Sequence, residues 1–249
     1  EGSEKHHTEK LLRLDPCMMC YRPRADAPDV APVPPSPRSA PGGGFAVKSI
    51  TFGSFNAMMK LNTPVIKLWA KVLKQVDNSK LVLKHTTFAA EDARLHLAQR
   101  FKEAGVDPAR VLIEPPVMKT ADLLAEYNRI DVALDTFPFP GVTTTCDALW
   151  MGVPVVALQG KSSWSRTGGS ILNAVGLKEC IAMTDDQYVT IAALLAADVQ
   201  RRTELRAGLR EQMRTSPMCD ERPFVRRFEN LVRTAWRERC AKQSGAATH

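Results

Sequence analysis

The chain has 249 residues, a hydrophobic fraction of 44% and a formal net charge of +7 at pH 7. This length suffices for one large or two small domains with a hydrophobic core, and the apolar fraction is ordinary for a globular protein. No apolar run approaches the roughly 20 residues of a membrane-spanning helix, and residues 1–10 lack the apolar core of a signal peptide. We therefore expect no membrane association and a cytoplasmic location, or a nucleocytoplasmic one in a eukaryote.

The first 47 residues do not predict a regular domain. Residues 9–14 have a short helical pattern with nothing close in sequence to pack against. Residues 23–47 are rich in proline and contain a glycine triplet, which is typical of a linker or an extended surface crossing. At the other end of the chain we expect residues 243–249 to form a disordered tail.

Six cysteines are spread along the chain, a distribution that does not predict a disulfide framework. Cys17 and Cys20 have the spacing of one half of a zinc site, but no second Cys or His pair follows at metal-ligand spacing. We therefore expect no metal ion, and a reducing cytosol as the environment.

Strand and helix patterns alternate from residue 48 onward. Apolar runs predict strands at 49–55, 81–83, 111–113, 132–134 and 153–158, with a candidate edge strand at 181–183. A helix is predicted to start with Thr63 as N-cap and Pro64 as its first residue, and Thr120 is the expected cap of another. The further helices are predicted at 90–104, 120–128, 167–175, 185–197, 200–214 and 223–240. The pattern predicts an α/β fold with a doubly wound parallel sheet at 48–199 and C-terminal helices at 200–242.

Arginine is concentrated after residue 200, with glutamates interleaved. This pattern predicts solvated helix faces with paired charges. A basic nucleic-acid-binding or scaffold protein is an alternative that the composition suggests. The segment lacks interleaved aromatic residues and any recognisable nucleic-acid-binding module, so we expect no nucleic-acid partner.

A strand, turn and helix start carry the clearest functional signal. Asp135 follows a buried strand, a Pro/Gly turn comes next, and Thr143, Thr144 and Thr145 stand at the start of a predicted helix. Free backbone N–H groups at a helix N-terminus, with the helix dipole, form an anion site suited to a diphosphate. Asp147 lies one turn further along, where a carboxylate can accept hydrogen bonds from a ribose. The alternative is an ordinary capped connection between two strands, because Thr and Asp are common cap residues.

Three loops are predicted to meet at the carboxyl edge of the sheet, where ligands bind in doubly wound folds. They are residues 55–60, 115–120 and 137–147. Lys60 is flanked by apolar residues and can neutralise a leaving diphosphate; a solvated surface lysine is the alternative. Neither a Gly-x-Gly-x-x-Gly nor a Walker A sequence is present, which argues against NAD enzymes and P-loop NTPases.

Several linked motifs resemble a single family. Phe52-Gly-Ser-Phe-Asn56 with Lys60, Leu134-Asp-Thr-Phe-Pro138, residues 141–147 and Leu149-Trp-Met-Gly-Val-Pro154 are similar to the C-terminal catalytic half of the protein O-GlcNAc transferase and SPINDLY (protein O-fucosyltransferase) family. The resemblance continues upstream through residues 9–14 and 17–21. Downstream it runs through Ser165-Arg166, Gly168 and Ser216-Pro217 to about residue 240.

The resemblance implies the Rossmann-like C-terminal domain of a GT-B glycosyltransferase. Such an enzyme presents UDP-GlcNAc, or GDP-fucose, for inverting transfer to Ser/Thr hydroxyls of proteins, and it uses neither a metal nor a further cofactor. TPR repeats normally lie upstream in this family. Residues 1–22 would be a remnant of the N-terminal catalytic half, the missing partner that carries the acceptor groove and the candidate base. We therefore expect the isolated chain to be inactive.

Site residues follow from the resemblance position by position. Lys60 is the expected catalytic residue at the diphosphate. Thr143 and Thr144 match phosphate-binding positions, and Asp147 matches the ribose-binding carboxylate. Thr145 would add a cap bond or simply pack.

Two further regions are implied. Met118, Lys119 and Thr120 occupy the loop whose backbone reads the base in the family, a role that tolerates changed side chains. Arg166, which precedes another helix start, is either an anion contact or a capping surface arginine.

Some positions depart from the family pattern. Val142 stands where the O-GlcNAc enzymes carry a phosphate-contacting histidine, although SPINDLY-like members also lack it. Leu123 replaces a histidine that stacks on the base, and Ala57 replaces a polar residue near the sugar nucleotide. These changes leave open the choice between UDP and GDP. His85 is a candidate base if it faces the crevice, whereas His96, between leucines in a helical run, has a structural role as its simpler interpretation.

Two functions of different classes compete with an active glycosyltransferase half. The first is a truncated module that binds nucleotide without catalysis, which the missing N-terminal half and the changes at Val142 and Leu123 favour. The second is the basic nucleic-acid-binding or scaffold protein. Nucleotide titration separates the first two from the third.

Overall fold

The computed structural model describes residues 4–32 and 49–246. The strands are β1 (Ile50–Ser54), β2 (Ser79–Lys84), β3 (Val111–Glu114), β4 (Val132–Leu134), β5 (Val155–Leu158) and β6 (Ile181–Ala182). The helices are α1 (Thr63–Gln75), α2 (Glu91–Glu103), α3 (Thr120–Glu126), α4 (Thr143–Trp150), α5 (Thr167–Val175), α6 (Asp185–Ala197), α7 (Val199–Arg214) and α8 (Glu221–Ala246).

Every strand pairing in the described residues is parallel, and the strand order is β3-β2-β1-β4-β5-β6. The chain builds one half of the sheet outward from β1 to β3, returns to the centre at β4 and builds the other half outward to β6. The predicted doubly wound α/β fold is therefore confirmed. Its topological switch point lies between β1 and β4, where ligands bind in such sheets.

The sheet core is apolar because helices cover both of its faces. The indole N–H of Trp69 in α1 donates to the hydroxyl of Tyr188 in α6, 3.2 Å away, and both side chains are fully buried. At the centre, Gly53 of β1 lies directly against Ile130. A Cβ atom at position 53 would come 2.2 Å from Ile130 Cδ1, so this close approach requires glycine.

Two helix starts differ from the prediction by one residue. The N-cap of α1 is Asn62, whose Oδ1 accepts from the backbone N–H of Val65 at 2.9 Å; Thr63 is already helical. Thr120 is likewise the first helical residue of α3, and Lys119 holds the cap position without a side-chain hydrogen bond. Gly176, by contrast, ends α5 as predicted, with a φ of 88° that favours glycine.

Residues 9–14 are not helical, contrary to the prediction; the described helical turn near the start is a 3₁₀ turn at Glu4–His6. Residues 9–14 are mostly exposed. A six-residue helix has too few internal hydrogen bonds to offset the cost of nucleation without a packing partner.

The following segment packs on the sheet domain. Cys17 is buried in the core, the backbone N–H of Tyr21 donates to the carbonyl of Met218 at 2.7 Å, and the N–H of Ala31 donates to Asn128 Oδ1 at 2.9 Å. Residues 23–32 of the predicted linker are therefore a surface crossing held on the domain. The rest of that linker, 33–47, lies outside the described residues.

The arginines on the inner face of α7 are not solvated, contrary to the prediction for this region. Arg202 and Arg206 are buried, Arg210 is partly buried, and all three donate to backbone carbonyls. Their spacing of four residues places them in a row on one helix face. Arg202 donates to the carbonyls of Leu195 and Ala196. Arg206 donates to those of Tyr127, Ile130 and Met151. Arg210 donates to those of Trp150 and Pro28.

Helix α8 extends to Ala246, beyond residue 242, where the predicted C-terminal helices end and the predicted tail begins. Residues 247–249 lie outside the described part of the chain. Along α8 an apolar side is exposed at Val225, Phe228, Val232 and Trp236. Across the described residues, no helix combines the length and apolar character that a membrane span requires.

Candidate functional site

The candidate site lies at the switch point, above the carboxyl ends of β1 and β4. Here the loop after β1 meets the turn between β4 and α4. A void of about 10 Å³ beneath these loops is lined in part by Asn56, Asp135 and Thr144. This void has room for about one water molecule, so any nucleotide must lie above the loops rather than inside the domain.

Asp135 anchors the turn from below. Its buried carboxylate accepts hydrogen bonds from the backbone N–H groups of Thr136 at 2.8 Å and Gly141 at 2.7 Å, and from Thr145 Oγ1 at 3.3 Å. Burial raises the pKa of Asp135 to about 6, against the lowering by these hydrogen bonds and by the charge of Lys60. The sequence indicated Asp135 only as the end of a strand; its anchoring role was missed.

Asn56 joins the two loops. Its buried amide donates to Asp135 Oδ1 at 3.3 Å, and its Oδ1 accepts from Thr144 Oγ1 at 3.1 Å and from Lys60 Nζ at 3.4 Å. An amide is suited to this position because it both donates and accepts. In the sequence, Asn56 stands out only as the end of the Phe52-Gly-Ser-Phe-Asn56 motif.

Lys60 ends a short 3₁₀ turn and bends into the crevice. Its ammonium donates to the carbonyl of Pro140 at 2.9 Å and lies 5.1 Å from the ring centroid of Phe139. Burial lowers the pKa of Lys60, while the charge of Asp135 opposes that shift. Lys60 is thus half-buried and hydrogen-bonded, which does not fit the alternative of a freely solvated surface lysine.

The N-terminus of α4 points toward the same region. Val142 holds the cap position without a side-chain hydrogen bond, and Val142 and Thr143 are exposed. Thr144 is partly buried, and its hydroxyl donates to Asn56. Thr145 is buried and bonded to Asp135, so its side chain packs inward and takes no part in the open surface. Because no side chain in the described residues caps this terminus, the alternative of an ordinary capped connection is not supported.

Asp147 lies one helical turn beyond Thr143. One carboxylate oxygen accepts from the hydroxyl of Tyr21 at 2.6 Å. Burial raises the pKa of Asp147, and the hydrogen bond from Tyr21 lowers it. The sequence did not link Tyr21 to Asp147, because 126 residues separate them.

The loop after β3 presents Met118, Lys119 and Thr120 to solvent, with Met118 93% exposed. Leu123 packs against the core from the first turns of α3. This loop is therefore open enough for its backbone to contact a ligand, and its position at a carboxyl strand end agrees with the prediction.

An ion-pair cluster around one buried lysine supports that loop. The ammonium of Lys84, at the end of β2, lies 3.1 Å from carboxylate oxygens of both Glu114 and Glu126, and Arg129 pairs with the same two acids. Lys84 is only 5% exposed. The cluster joins the ends of β2 and β3 to α3, and the one sequence signal for it was a lysine that ends an apolar strand.

Three other candidate residues from the sequence are Arg166, His85 and His96. Arg166 donates to the carbonyl of Lys161 at 2.6 Å, so its guanidinium is engaged within its own loop. His85 caps the turn after β2 through Thr87, and burial together with the charge of Lys60 lowers its pKa. His96 is exposed on α2, so the expected structural role is not supported. In the described ranges, no three His, Cys, Asp or Glu side chains are grouped so as to hold a metal ion.

Comparisons with known proteins agree with this architecture. Residues 42–228 match the sequence profile of glycosyl transferase family 41. A protein of Solanum lycopersicum named probable UDP-N-acetylglucosamine–peptide N-acetylglucosaminyltransferase SPINDLY is 38% identical over 239 residues, which is 96% of this chain and 25% of that protein. The Oryza sativa subsp. japonica protein of the same name is 41% identical over 234 residues, 94% of this chain and 24% of that protein.

A solved structure gives the same result. A mutant O-GlcNAc transferase from Thermobaculum terrenum matches with a TM-score of 0.80 and 36% identity, covering 98% of this chain and 44% of that chain. The chain spans about a quarter of the length of the curated relatives it matches. From the profile match and these similarities, the chain belongs to glycosyl transferase family 41.

Proposed function

We propose that the chain is the donor-binding half of an inverting protein O-glycosyltransferase, which transfers GlcNAc from UDP-GlcNAc, or fucose from GDP-fucose, to Ser/Thr hydroxyls of proteins. The observation that carries the proposal is the convergence of the Lys60 ammonium and the uncapped N-terminus of α4, joined by Asn56 at the switch point. The names of the relatives, which specify UDP-N-acetylglucosamine, support the donor class.

Lys60 and α4 together favour a diphosphate. As the glycosidic bond breaks, negative charge develops on the leaving diphosphate. A half-buried ammonium and the positive end of a helix dipole stabilise that charge more than they stabilise the neutral sugar. The hydroxyl of Thr143 adds a hydrogen-bond donor at the same helix end, whereas the hydroxyl of Thr144 already donates to Asn56 and leaves its backbone N–H for the diphosphate. In this proposal the chain neutralises the leaving group with its own cation and needs no metal.

The nucleoside would extend from the phosphates over α4 and the loop after β3. Asp147 accepts from the ribose hydroxyls, and the backbone of Met118, Lys119 and Thr120 contacts the base. Val142 and Leu123 leave the choice between uracil and guanine open, because neither offers a polar group to a base edge.

The acceptor protein would bind on a facing half of the enzyme. A GT-B active site forms between two domains, and closing it excludes water and brings donor and acceptor together. We infer that this chain contributes the donor side, in the cytoplasm, and that the facing half contributes the acceptor groove and the base.

A non-catalytic nucleotide-binding module is the second candidate, favoured by Val142 and Leu123, which stand where the resemblance implies histidines that contact the phosphates and the base. The nucleic-acid alternative has less support, because Arg202, Arg206 and Arg210 donate to carbonyls within the domain and are not presented to a partner.

The proposal is tested in two steps. Calorimetry with UDP and GDP on the purified chain should detect weak binding of one of them, and a chain that binds neither contradicts the proposal. Labelled UDP-GlcNAc and GDP-fucose are then supplied with a broad peptide mixture, with and without the facing half in trans. We expect transfer only when both halves are present. Binding without transfer in either case identifies the non-catalytic module, and robust transfer by the chain alone makes His85 the first base to test.

A further inference from the structure

Tyr21 is held in place from three sides. Its hydroxyl donates to Asp147 Oδ1 at 2.6 Å, its backbone N–H donates to the carbonyl of Met218 at 2.7 Å, and its ring lies against Trp150 with centroids 6.5 Å apart. These contacts involve α4 and the segment before α8. The phenol oxygen therefore has little freedom to move away from Asp147.

Asp147 retains an acceptor for a ligand. One oxygen is used by Tyr21, while no hydrogen bond to Oδ2 is recorded from the described residues. An ionised carboxylate has lone pairs for several donors. Burial raises the pKa of Asp147 and the Tyr21 hydrogen bond lowers it, so the phenol favours the ionised, accepting form.

The position of Asp147 on α4 matches the dimensions of a nucleotide. Thr143 and Asp147 are four residues apart and share one helix face, about 6 Å apart along the axis. A ribose lies at a comparable distance from the phosphates that the N-terminus of α4 would bind. The free oxygen of Asp147 is thus suited to the ribose rather than to the phosphates.

We propose that Tyr21 is a positioning residue that fixes the Asp147 carboxylate for the ribose hydroxyls of the nucleotide and so makes binding selective for an intact ribose. This inference rests on the proposed function. Tyr21 acts through Asp147 and does not itself contact the ligand. A carboxylate already held in one orientation loses less freedom on binding, which strengthens its contact with the hydroxyls.

The test compares Tyr21→Phe with the unsubstituted chain, using UDP and 2′,3′-dideoxy-UDP, or the guanine pair if the chain binds GDP. We expect about a fivefold weaker affinity for UDP and no change for the dideoxy nucleotide, since the lost hydrogen bond to a charged group affects only the ribose contact. Equal weakening of both nucleotides, or unchanged UDP affinity, overturns the inference.

Three further variants separate positioning from a structural role. Asp147→Asn should lose the same ribose selectivity, and adding Tyr21→Phe to it should change nothing more, because the two residues act as one unit. Tyr21→Gln, which keeps a donor, should restore part of the selectivity. Tyr188→Phe removes another buried phenol hydroxyl and should affect both nucleotides alike. A fully additive double variant overturns the inference.

Failure of the function and of the inference are distinguishable. If the unsubstituted chain binds neither UDP nor GDP, the proposed function fails and the inference fails with it. If the chain binds UDP but does not discriminate against the dideoxy form, only the ribose role is wrong. The thermal midpoint of each variant shows whether it is folded.

Discussion

Asn56, Lys60 and Asp135 form a small polar network at the centre of a largely apolar sheet domain. Asn56 donates to Asp135, and Lys60 donates to Asn56 and to the carbonyl of Pro140, so the loop after β1 is tied to the turn after β4. A buried polar network of this kind is stable only when its groups satisfy one another. The same contacts that stabilise the loops therefore direct the Lys60 ammonium to the crevice.

Lys60→Ala should weaken UDP binding much more than uridine binding. The substitution removes a cation from the diphosphate contact alone, and charge-assisted hydrogen bonds contribute about 1.5–3 kcal/mol. Calorimetry with UDP and uridine measures the difference. Lys71→Ala, an exposed lysine on α1, is the matched control and should leave both affinities unchanged. Equal losses for UDP and uridine would show that Lys60 supports the loop rather than the phosphates.

The stability of the chain should depend on pH through Asp135. Its pKa is about 6 when folded and near 3.8 when unfolded, so between these values the folded state binds the proton more tightly. The stabilisation is complete below pH 3.8 and is lost as the pH rises through about 6, on the order of 3 kcal/mol in total.

Urea unfolding of the chain and of Asp135→Asn, at several pH values from 4 to 7, tests this titration. The free energy of unfolding of the unsubstituted chain should fall relative to that of the variant as the pH rises to about 6 and then stay level. A difference that is constant over the whole range would mean that Asp135 does not titrate in it.

At the scale of elements, the buried arginines of α7 donate hydrogen bonds to backbone carbonyl groups at the ends of neighbouring segments, and in this way cap those segments. Arg206 donates to the carbonyls of Tyr127 and Met151, at 3.3 Å each, and to that of Ile130. These carbonyls lie near the ends of α3 and α4, whose last carbonyl groups have no partner within their own helix. One guanidinium therefore ties together three segments around the sheet.

Arg206→Met should destabilise the chain by about 3 kcal/mol, because it leaves buried carbonyls without donors while keeping most of the side-chain volume. Arg214→Met, at the exposed end of the same helix, removes only a surface pair with Glu211 and should leave the free energy of unfolding almost unchanged. Urea denaturation measures both. Similar losses in the two variants would contradict the capping role.

The elements differ in how well the sequence predicts them, for physical reasons. Strand β4 and helices α5 and α6 have the predicted bounds, since local apolar periodicity and flanking caps mark their ends. Helix α8 continues past its predicted end because residues 241–244 include neither Gly nor Pro. Asn56, Lys84 and Arg206 were missed because their partners are remote in sequence; Arg206, for instance, binds Ile130, 76 residues away.

At the scale of the whole molecule, the sheet is two halves joined along β1 and β4. At this junction Gly53 packs directly against Ile130, and Ile130 is fully buried. The candidate site lies directly above the junction. A small change in the separation of the two halves should therefore also displace the loops that carry Lys60 and Asp135.

Gly53→Ala should destabilise the chain by about 1–3 kcal/mol, because the added methyl overlaps Ile130 in a packed core. In a chain that already carries Ile130→Ala, Gly53→Ala should cost less stability than it does in the unsubstituted chain, because the smaller side chain at position 130 makes room for the methyl group. The four free energies of unfolding, from urea denaturation, form a double-mutant cycle. A coupling energy near zero would show that the backbone moves instead, without strain at this contact.

The cluster of Lys84, Glu114, Glu126 and Arg129 has a consequence for how the family's sequences diverge. Arg129 is nearly half exposed, so its loss should cost little, whereas loss of both acids would leave the buried ammonium of Lys84 without a partner, at about 3–5 kcal/mol. Replacement of the acids without replacement of Lys84 is therefore a disfavoured step. Across aligned relatives Lys84 should covary with Glu114 and Glu126, and an apolar residue in place of Lys84 should be accompanied by loss of both acids.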